Sequence, residues 1–195
     1  MQPYNFVFFG IVGSGKGTQV KLLMDFLKAK DGKDMVYAYP GSEYRKLVEG
    51  DSFVGSLIKE SLHAGNLQPD FLTNSIFTDM LIKDLDDKKH LIADGYPRTV
   101  VQSETFEAMM NFFKRDKVKI IYIELSEEEA LTRNLARARA DDTIEALAKR
   151  FNEYKNNVIP AMNYFKDKEN YEVYSINGEQ SIEDVHKDII KALNL

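Results

Sequence analysis

The chain contains no cysteine, which excludes disulfide bonds and any zinc site built from cysteine ligands. Long hydrophobic runs are also missing. The apolar stretch at residues 6–9 is too short for the core of a signal peptide, and no window approaches the roughly eighteen apolar residues of a membrane span. Positive charge is not in excess, because 26 basic and 31 acidic residues give a net charge of −5. We therefore expect a cytoplasmic protein that binds neither nucleic acid nor a membrane surface.

Short aromatic and β-branched runs alternate along the chain with segments of helical periodicity. The runs predict strands at residues 6–9, 36–39, 91–93, 118–125 and 171–176. Strands that alternate with helices indicate βαβ units with right-handed crossovers. The expected fold is α/β: a doubly wound, parallel, five-stranded sheet with helices on both faces. No linker divides residues 1–195, so we expect one domain and, by default, a monomer.

A glycine-rich segment follows the first predicted strand and opens the first predicted helix. Residues 10–19 read GIVGSGKGTQ. Glycines allow backbone N–H groups to converge on phosphate oxygens, the helix N-terminus adds positive potential, and Lys16 can bridge the terminal phosphates. The segment therefore predicts a phosphate-binding loop of the P-loop NTPase type. The general pattern places Ser or Thr directly after the lysine, whereas here Gly17 comes before Thr18.

Several further segments carry a family resemblance. Lys-Gly-Thr-Gln after the loop, PGSEYR at residues 40–45, GNLQPD at 65–70 and DGYPRT at 94–99 resemble segments of adenylate kinases at matching spacings over essentially the whole chain. Such enzymes transfer a phosphoryl group between two nucleotides, a reaction that depends on positioning and charge cancellation. The resemblance implies a helical NMP-binding insertion at about residues 40–72 and a very short lid at about 137–142.

The resemblance also implies a role for individual residues. The expected ATP-binding residues are Gly13, Ser14, Gly15, Lys16, Gly17, Thr18, Arg133, Arg137 and Gln180. The expected AMP-binding residues are Gly41, Arg45, Gln68, Thr73, Gly95, Arg98, Gln102, Arg139 and Arg150. The expected catalytic residues are Lys16, Arg98, Arg137, Arg139 and Arg150, with Asp94 holding Mg²⁺ through water. Mg²⁺ would arrive with ATP, and no structural zinc is expected.

Two positions leave the identity of the acceptor open. Pro40 stands where AMP-using relatives carry a threonine, and Ser42 replaces the usual aspartate, so UMP or CMP is the alternative acceptor. Thr99 and Gln102 favour AMP. A non-catalytic ATP-binding sensor is the alternative of another class, although a sensor has no need for arginines that converge from separate segments. A P-loop kinase acting on a small non-nucleotide hydroxyl is a further alternative, which the Lys-Gly-Thr-Gln sequence disfavours.

Overall fold

A computed structural model describes residues 2–137 and 143–195 of the chain. The strands are β1 (Asn5–Gly10), β2 (Met35–Ala38), β3 (His90–Asp94), β4 (Val118–Glu124) and β5 (Tyr171–Asn177). The helices are α1 (Lys16–Asp31), α2 (Pro40–Glu49), α3 (Phe53–His63), α4 (Asp70–Asp84), α5 (Val100–Phe112), α6 (Glu127–Arg137), α7 (Ile144–Glu153), α8 (Ile159–Asn163) and α9 (Ile182–Ala192). A π-helical turn, Tyr154–Val158, joins α7 to α8. Within the described ranges, no helix has the length and apolarity needed to cross a membrane.

The five strands form one sheet in the order β2-β3-β1-β4-β5, and all neighbours are parallel. This confirms the predicted fold class. β1 lies at the centre, with Val7 opposite Ala93 on one side and Ile120 on the other. β2 and β3 lie on one side of β1, and β4 and β5 lie on the other, so the strand order reverses at β1. In open α/β sheets, ligands bind beside the carboxyl ends of the strands at such a switch point. The ends of β1 and β3, Gly10 and Asp94, therefore mark the expected site.

Each face of the sheet has its own core. Successive side chains of a strand point to opposite faces, so Phe6 and Phe8 of β1 lie on one side and Val7 and Phe9 on the other. The first face packs against α1 and α9, and the second against α4, α5 and α8. β1 is buried along its whole length, which explains why residues 6–9 are continuously apolar rather than alternating.

Helix ends follow the signals that the sequence carries. Gly32 ends α1 with φ +70°, and its N–H donates to the Lys28 carbonyl. The Ser181 hydroxyl accepts from the N–H of Asp184 at the start of α9, and Thr99 caps α5 in the same way. Pro40 is the first residue of α2, where its missing N–H costs nothing. The helix starts at Pro40, Thr99 and Ser181 follow the carboxyl ends of β2, β3 and β5, so these signals set where the chain leaves the ligand-binding edge of the sheet.

The predicted strands coincide with the observed ones to within one residue at every end. The segment at residues 40–72 contains α2, α3 and the first residues of α4. The predicted lid at residues 137–142 lies, except for Arg137, outside the described residues, as does Arg139. The insertion and the lid stay predictions.

Candidate active site

The loop between β1 and α1 adopts a conformation that requires glycine. Gly13 and Gly15 have φ values of +90° and +85°. A Cβ atom on Gly13 would lie 2.4 Å from Nδ2 of Asn134 on α6, so the loop also approaches this helix too closely for a side chain. The Nδ2 atom of Asn134 donates to the Val12 carbonyl at 2.9 Å and fixes the loop against α6.

Lys16 lies at the beginning of α1 and folds back over the loop. Its Nζ donates to the carbonyls of Gly10 at 2.6 Å and Ile11 at 2.9 Å. Loss of hydration lowers the pKa of Lys16 to about 8, while Asp94 favours the charged form and Arg98 and Arg137 oppose it. Asp94 and Arg98, from the end of β3 and the loop after it, and Arg137, from α6, are therefore close enough to act electrostatically on the ammonium group of Lys16.

A cavity of about 340 Å³ adjoins the loop, within the size range of small-molecule sites. Its lining brings together several of the predicted ATP-binding residues with residues of the segment that follows β5. They are Gly13, Ser14, Gly15, Thr18, Gln19, Arg133, Gly178, Gln180, Ser181, Ile182 and Val185. The cavity lies directly beside the phosphate loop.

Arg133 borders this cavity in a fixed orientation. Its Nε donates to Glu129 at 2.7 Å, and its Nη1 donates to the Gly178 carbonyl at 3.0 Å. Gln180 donates to the Asn177 carbonyl and to Asp188, at 3.1 Å and 2.9 Å. Both side chains are thus attached to the rim of the cavity rather than extending into solvent.

Arg137 occupies the next turn of α6. Its Nη2 donates to Asn134 at 2.6 Å, so the same asparagine that holds the loop also holds this arginine. Arg133 and Arg137 are four residues apart on one helix face, as their spacing predicts. α6 therefore presents two guanidinium groups at the phosphate loop.

Asp94 is the last residue of β3 and is almost completely buried. One of its oxygens accepts from the Tyr37 hydroxyl at 2.8 Å. Burial raises the pKa of Tyr37, and the negative charge of Asp94 adds to this effect, so the tyrosine stays a donor. The carboxylate is held in one orientation towards the phosphate loop.

A compact hydrogen-bond network organises the segment after β3. The Nε of Arg98 donates to the Gly95 carbonyl at 2.8 Å, and its backbone N–H donates to Oε1 of Gln102 at 2.8 Å. Nε2 of Gln102 and the Thr99 hydroxyl both donate to Asp70, each at 2.8 Å. Gln102 therefore uses both ends of its amide inside the protein, and its predicted contact with the acceptor base stays a prediction.

The turn before α4 carries a buried glutamine. Gln68 is 8% exposed, and its Nε2 has no hydrogen-bond partner among the described residues. Thr73, one turn into α4, donates to the Pro69 carbonyl at 3.1 Å and accepts from Tyr44 at 2.6 Å. The Thr73 hydroxyl therefore makes its hydrogen bonds within the protein, whereas the Nε2 group of Gln68 is a donor with no acceptor among the described residues.

The remaining predicted residues lie on two other helices. Arg45 is on α2, with its guanidinium near the ring of Tyr39, and Gly41 is at the start of the same helix. Arg150 on α7 points to the end of α3, where its Nη2 lies 3.5 Å from the Leu62 carbonyl. A Cβ atom on Gly65 would lie 2.7 Å from the Ala146 carbonyl of α7. The acceptor-side turn and the arginine-bearing helix are thus in contact.

Sequence reasoning missed several residues that shape the site. Asn134 and Tyr37 have no motif of their own, and Asp70, although it ends the GNLQPD segment, had no predicted role; only tertiary contacts reveal what the three side chains do. For Asn134 a weak signal existed: a polar residue between two arginines on a helix face that must pack against the loop. Gln19, which ends the loop motif, also lines the cavity and donates to the Ile182 carbonyl at 2.8 Å.

A parallel sheet of this order, a glycine-rich loop around a lysine, and arginines from the loop after β3 and from α6 beside it define a P-loop nucleotide kinase. Comparison with known proteins agrees. The family model for adenylate kinase matches residues 8–170. The adenylate kinase of Oenococcus oeni is 31% identical over 179 residues, covering 91% of this chain and 92% of the relative. The adenylate kinase of Thermosipho africanus is 30% identical, and the match covers 97% of this chain and 99% of the relative. The adenylate kinase of Bacteroides fragilis is 31% identical, and the match covers 97% of this chain and 98% of the relative.

The chain belongs to the adenylate kinase family. It is a nucleoside monophosphate kinase, a phosphotransferase.

Proposed function

We propose that this protein catalyses the reversible Mg²⁺-dependent transfer of a phosphoryl group from ATP to AMP, giving two molecules of ADP. The observation that carries the proposal is the convergence on Lys16 of Asp94 and Arg98, from the end of β3 and the loop after it, and of Arg137, from α6. One nucleotide would need only the loop and its cavity. A second cluster of positive charge beside the lysine suits a reaction in which two polyanions meet.

ATP would occupy the cavity beside the loop. Its phosphates would lie on the loop amides and the N-terminus of α1, replacing the carbonyls that Lys16 now contacts. Ser14 and Thr18, which line the cavity, and Gly17 between Lys16 and Thr18 would belong to the same cradle, and Arg133 and Gln180 would border the base. Gly15 has open space around its Cα, which leaves room for a phosphate to approach the backbone.

Mg²⁺ would be held by Asp94 through water together with the ATP phosphates. Among the residues that the structure describes, no three His, Asp or Glu side chains are grouped as a metal site. Mg²⁺ is usually bound through one or two carboxylates plus substrate phosphates, and a single oriented aspartate at the end of β3 fits that pattern. Bound there, Mg²⁺ would neutralise charge on the transferred phosphoryl group.

AMP would bind between α2, the turn at residues 65–70 and the segment after β3. Arg45 and Arg98 would hold its phosphate, and Gly41 and Gly95 would contribute to the site by leaving room for the Tyr39 ring and the Arg98 guanidinium. The unpaired donor of Gln68 offers a contact to the base, since an unpartnered buried amide gains a full hydrogen bond when a ligand supplies an acceptor. Thr73 and Gln102 would then hold the turn at residues 65–70 and the segment after β3 in place, rather than contact the base directly.

The chemical step needs no covalent intermediate on the enzyme. A phosphate oxygen of AMP attacks the γ-phosphorus of ATP in line, and the bond to the β–γ bridging oxygen breaks, leaving ADP on each side. Lys16, Arg98, Arg137 and Arg150 would stabilise the charge on the transferred group, and Arg139 has the same proposed role outside the described residues. Contact between α7 and the acceptor-side turn would help to exclude water.

The test is a coupled assay of ADP production with Mg-ATP and one acceptor at a time: AMP, CMP, UMP, GMP or dTMP. We expect strong turnover with AMP, none without acceptor, and loss of turnover in Lys16→Met. Lys21→Met, which changes an exposed lysine on the same helix, is the matched control and should keep wild-type turnover. Preference for CMP or UMP would contradict the acceptor assignment, and absence of acceptor-dependent turnover would favour the ATP-binding sensor.

A further inference from the structure

Two tyrosines lie between the donor and acceptor sides of the proposed site. Tyr37 is in β2 and Tyr39 immediately precedes α2, and their rings are stacked with centroids 5.9 Å apart and planes 20° apart. Both are half-buried. Residues two apart in an extended segment point to the same side, which explains how the two rings come to lie together.

Tyr39 contacts the guanidinium of Arg45. The Cζ of Arg45 lies 5.1 Å from the centroid of the ring, and its Nη1 donates to the Tyr39 hydroxyl at 3.3 Å. This geometry combines a cation–π contact with a hydrogen bond. Arg45 is otherwise an exposed arginine with a long, flexible side chain, so the ring restricts the positions that the guanidinium can take.

The backbone around Tyr39 leaves its ring little freedom. A Cβ atom on Gly41 would lie 2.6 Å from the ring, and one on Gly95 would lie 3.6 Å from it. The ring therefore fits between the first turn of α2 and the loop after β3. Glycine at Gly41 makes this close approach possible.

Tyr37 anchors the pair at its other end. Its hydroxyl donates to Asp94 at 2.8 Å, so the stacked rings extend from the carboxylate at the end of β3 to the guanidinium of Arg45 on α2. Ser42 does not compete for these groups, because its hydroxyl donates to the Tyr39 carbonyl at 2.7 Å.

We propose that Tyr39 is a positioning residue that holds Arg45 ready for the phosphate of the acceptor nucleotide, with Tyr37 fixing Tyr39 to Asp94. The inference rests on the proposed function, since it assigns the acceptor phosphate to Arg45. Without Tyr39, the guanidinium must be ordered when AMP binds, and part of the binding energy is lost to that ordering. Loss of the Tyr39 ring should therefore weaken the binding of AMP and leave the binding of ATP unchanged.

The experiment measures the dissociation constant of AMP by titration calorimetry without ATP and without Mg²⁺, and the KM values of both nucleotides in the coupled assay. Tyr39→Leu removes the ring face and the hydroxyl, whereas Tyr39→Phe removes the hydroxyl alone. Tyr164→Leu is the matched control, because Lys168 lies 4.2 Å from the Tyr164 ring centroid on a part of the protein outside the site. Thermal unfolding checks that each variant is folded.

We expect Tyr39→Leu to weaken AMP binding about five- to tenfold, the usual size of an exposed cation–π contact with a hydrogen bond. Tyr39→Phe should weaken it about two- to threefold, by the hydroxyl contribution alone. The KM of ATP should stay within about twofold in both, because the ATP cavity does not include Tyr39. Tyr164→Leu should leave AMP binding unchanged.

A double-mutant cycle separates positioning of Arg45 from a merely structural role. In an Arg45→Ala background, Tyr39→Leu should have no further effect on AMP binding, because the group that it positions is gone. The inference is overturned if the two effects add, if Tyr39→Leu leaves AMP binding unchanged, or if it tightens binding, which would make the ring a competitor of the phosphate. Wild-type protein that binds no AMP would instead contradict the proposed function itself.

Discussion

The lowered pKa of Lys16 has a consequence for stability that can be measured without any nucleotide. The pKa falls from 10.5 to about 8 in the folded protein. Below about pH 8 the lysine is protonated in both states, so the folded state carries the full cost of the dehydrated charge, on the order of 3 kcal/mol. Between about pH 8 and pH 10.5 the unfolded chain binds more protons than the folded one, and stability rises with pH.

Integration over the range from about pH 7 to pH 9.5 gives a stability gain of about 2 kcal/mol from Lys16 alone. Lys16→Met removes the titrating group, so this gain should be missing from the variant. Urea unfolding of the nucleotide-free protein at both pH values, with wild type, Lys16→Met and the control Lys21→Met, isolates the difference. Other groups that titrate at alkaline pH contribute equally to all three proteins and cancel. The reasoning is refuted if Lys16→Met and wild type respond identically to pH.

Two further predictions concern the acceptor side. Arg98→Ala should lower kcat/KM in the coupled assay by about 10³-fold, about 4 kcal/mol, if this arginine cancels transition-state charge; a variant within tenfold of wild type would remove Arg98 from the mechanism. Gln68→Ala should raise the KM for AMP about fivefold and leave the KM for ATP unchanged, since it removes one hydrogen-bond donor to the base. An equal KM for AMP in wild type and Gln68→Ala would show that its amide does not contact the acceptor.

The parts of the fold that depend on local sequence could be predicted. The buried run before Gly10 identified β1, and the glycine-rich loop after it identified the phosphate cradle. Each of these is a property of residues close together in the chain. The alternation of strands and helices was then enough to predict a parallel sheet.

The contacts that orient the side chains could not be predicted in the same way. Tyr37 reaches Asp94, which is 57 residues further along the chain, and Asn134 reaches the Val12 carbonyl across 122 residues. Sequence spacing does not determine which polar groups meet across such distances, since strand order and helix packing bring them together. Gln102 is an example. A motif predicted that it belongs to the site, but the sequence did not indicate that its amide is hydrogen-bonded to Asp70 and to the backbone N–H of Arg98.

The core on the α1 and α9 side of the sheet also has a consequence for the chain during its synthesis. The apolar face of α1, the helix that carries Lys16, packs with Val185, Ile189 and Leu193 in and after α9, and these residues come after every other described strand and helix. During synthesis, α1 is therefore made early but keeps an uncovered hydrophobic stripe until α9 emerges. A growing chain in that state is exposed to premature association, the situation in which chaperones bind nascent proteins. The part of the α1 surface that α9 covers is thus an exposed apolar surface until the last described helix has been made.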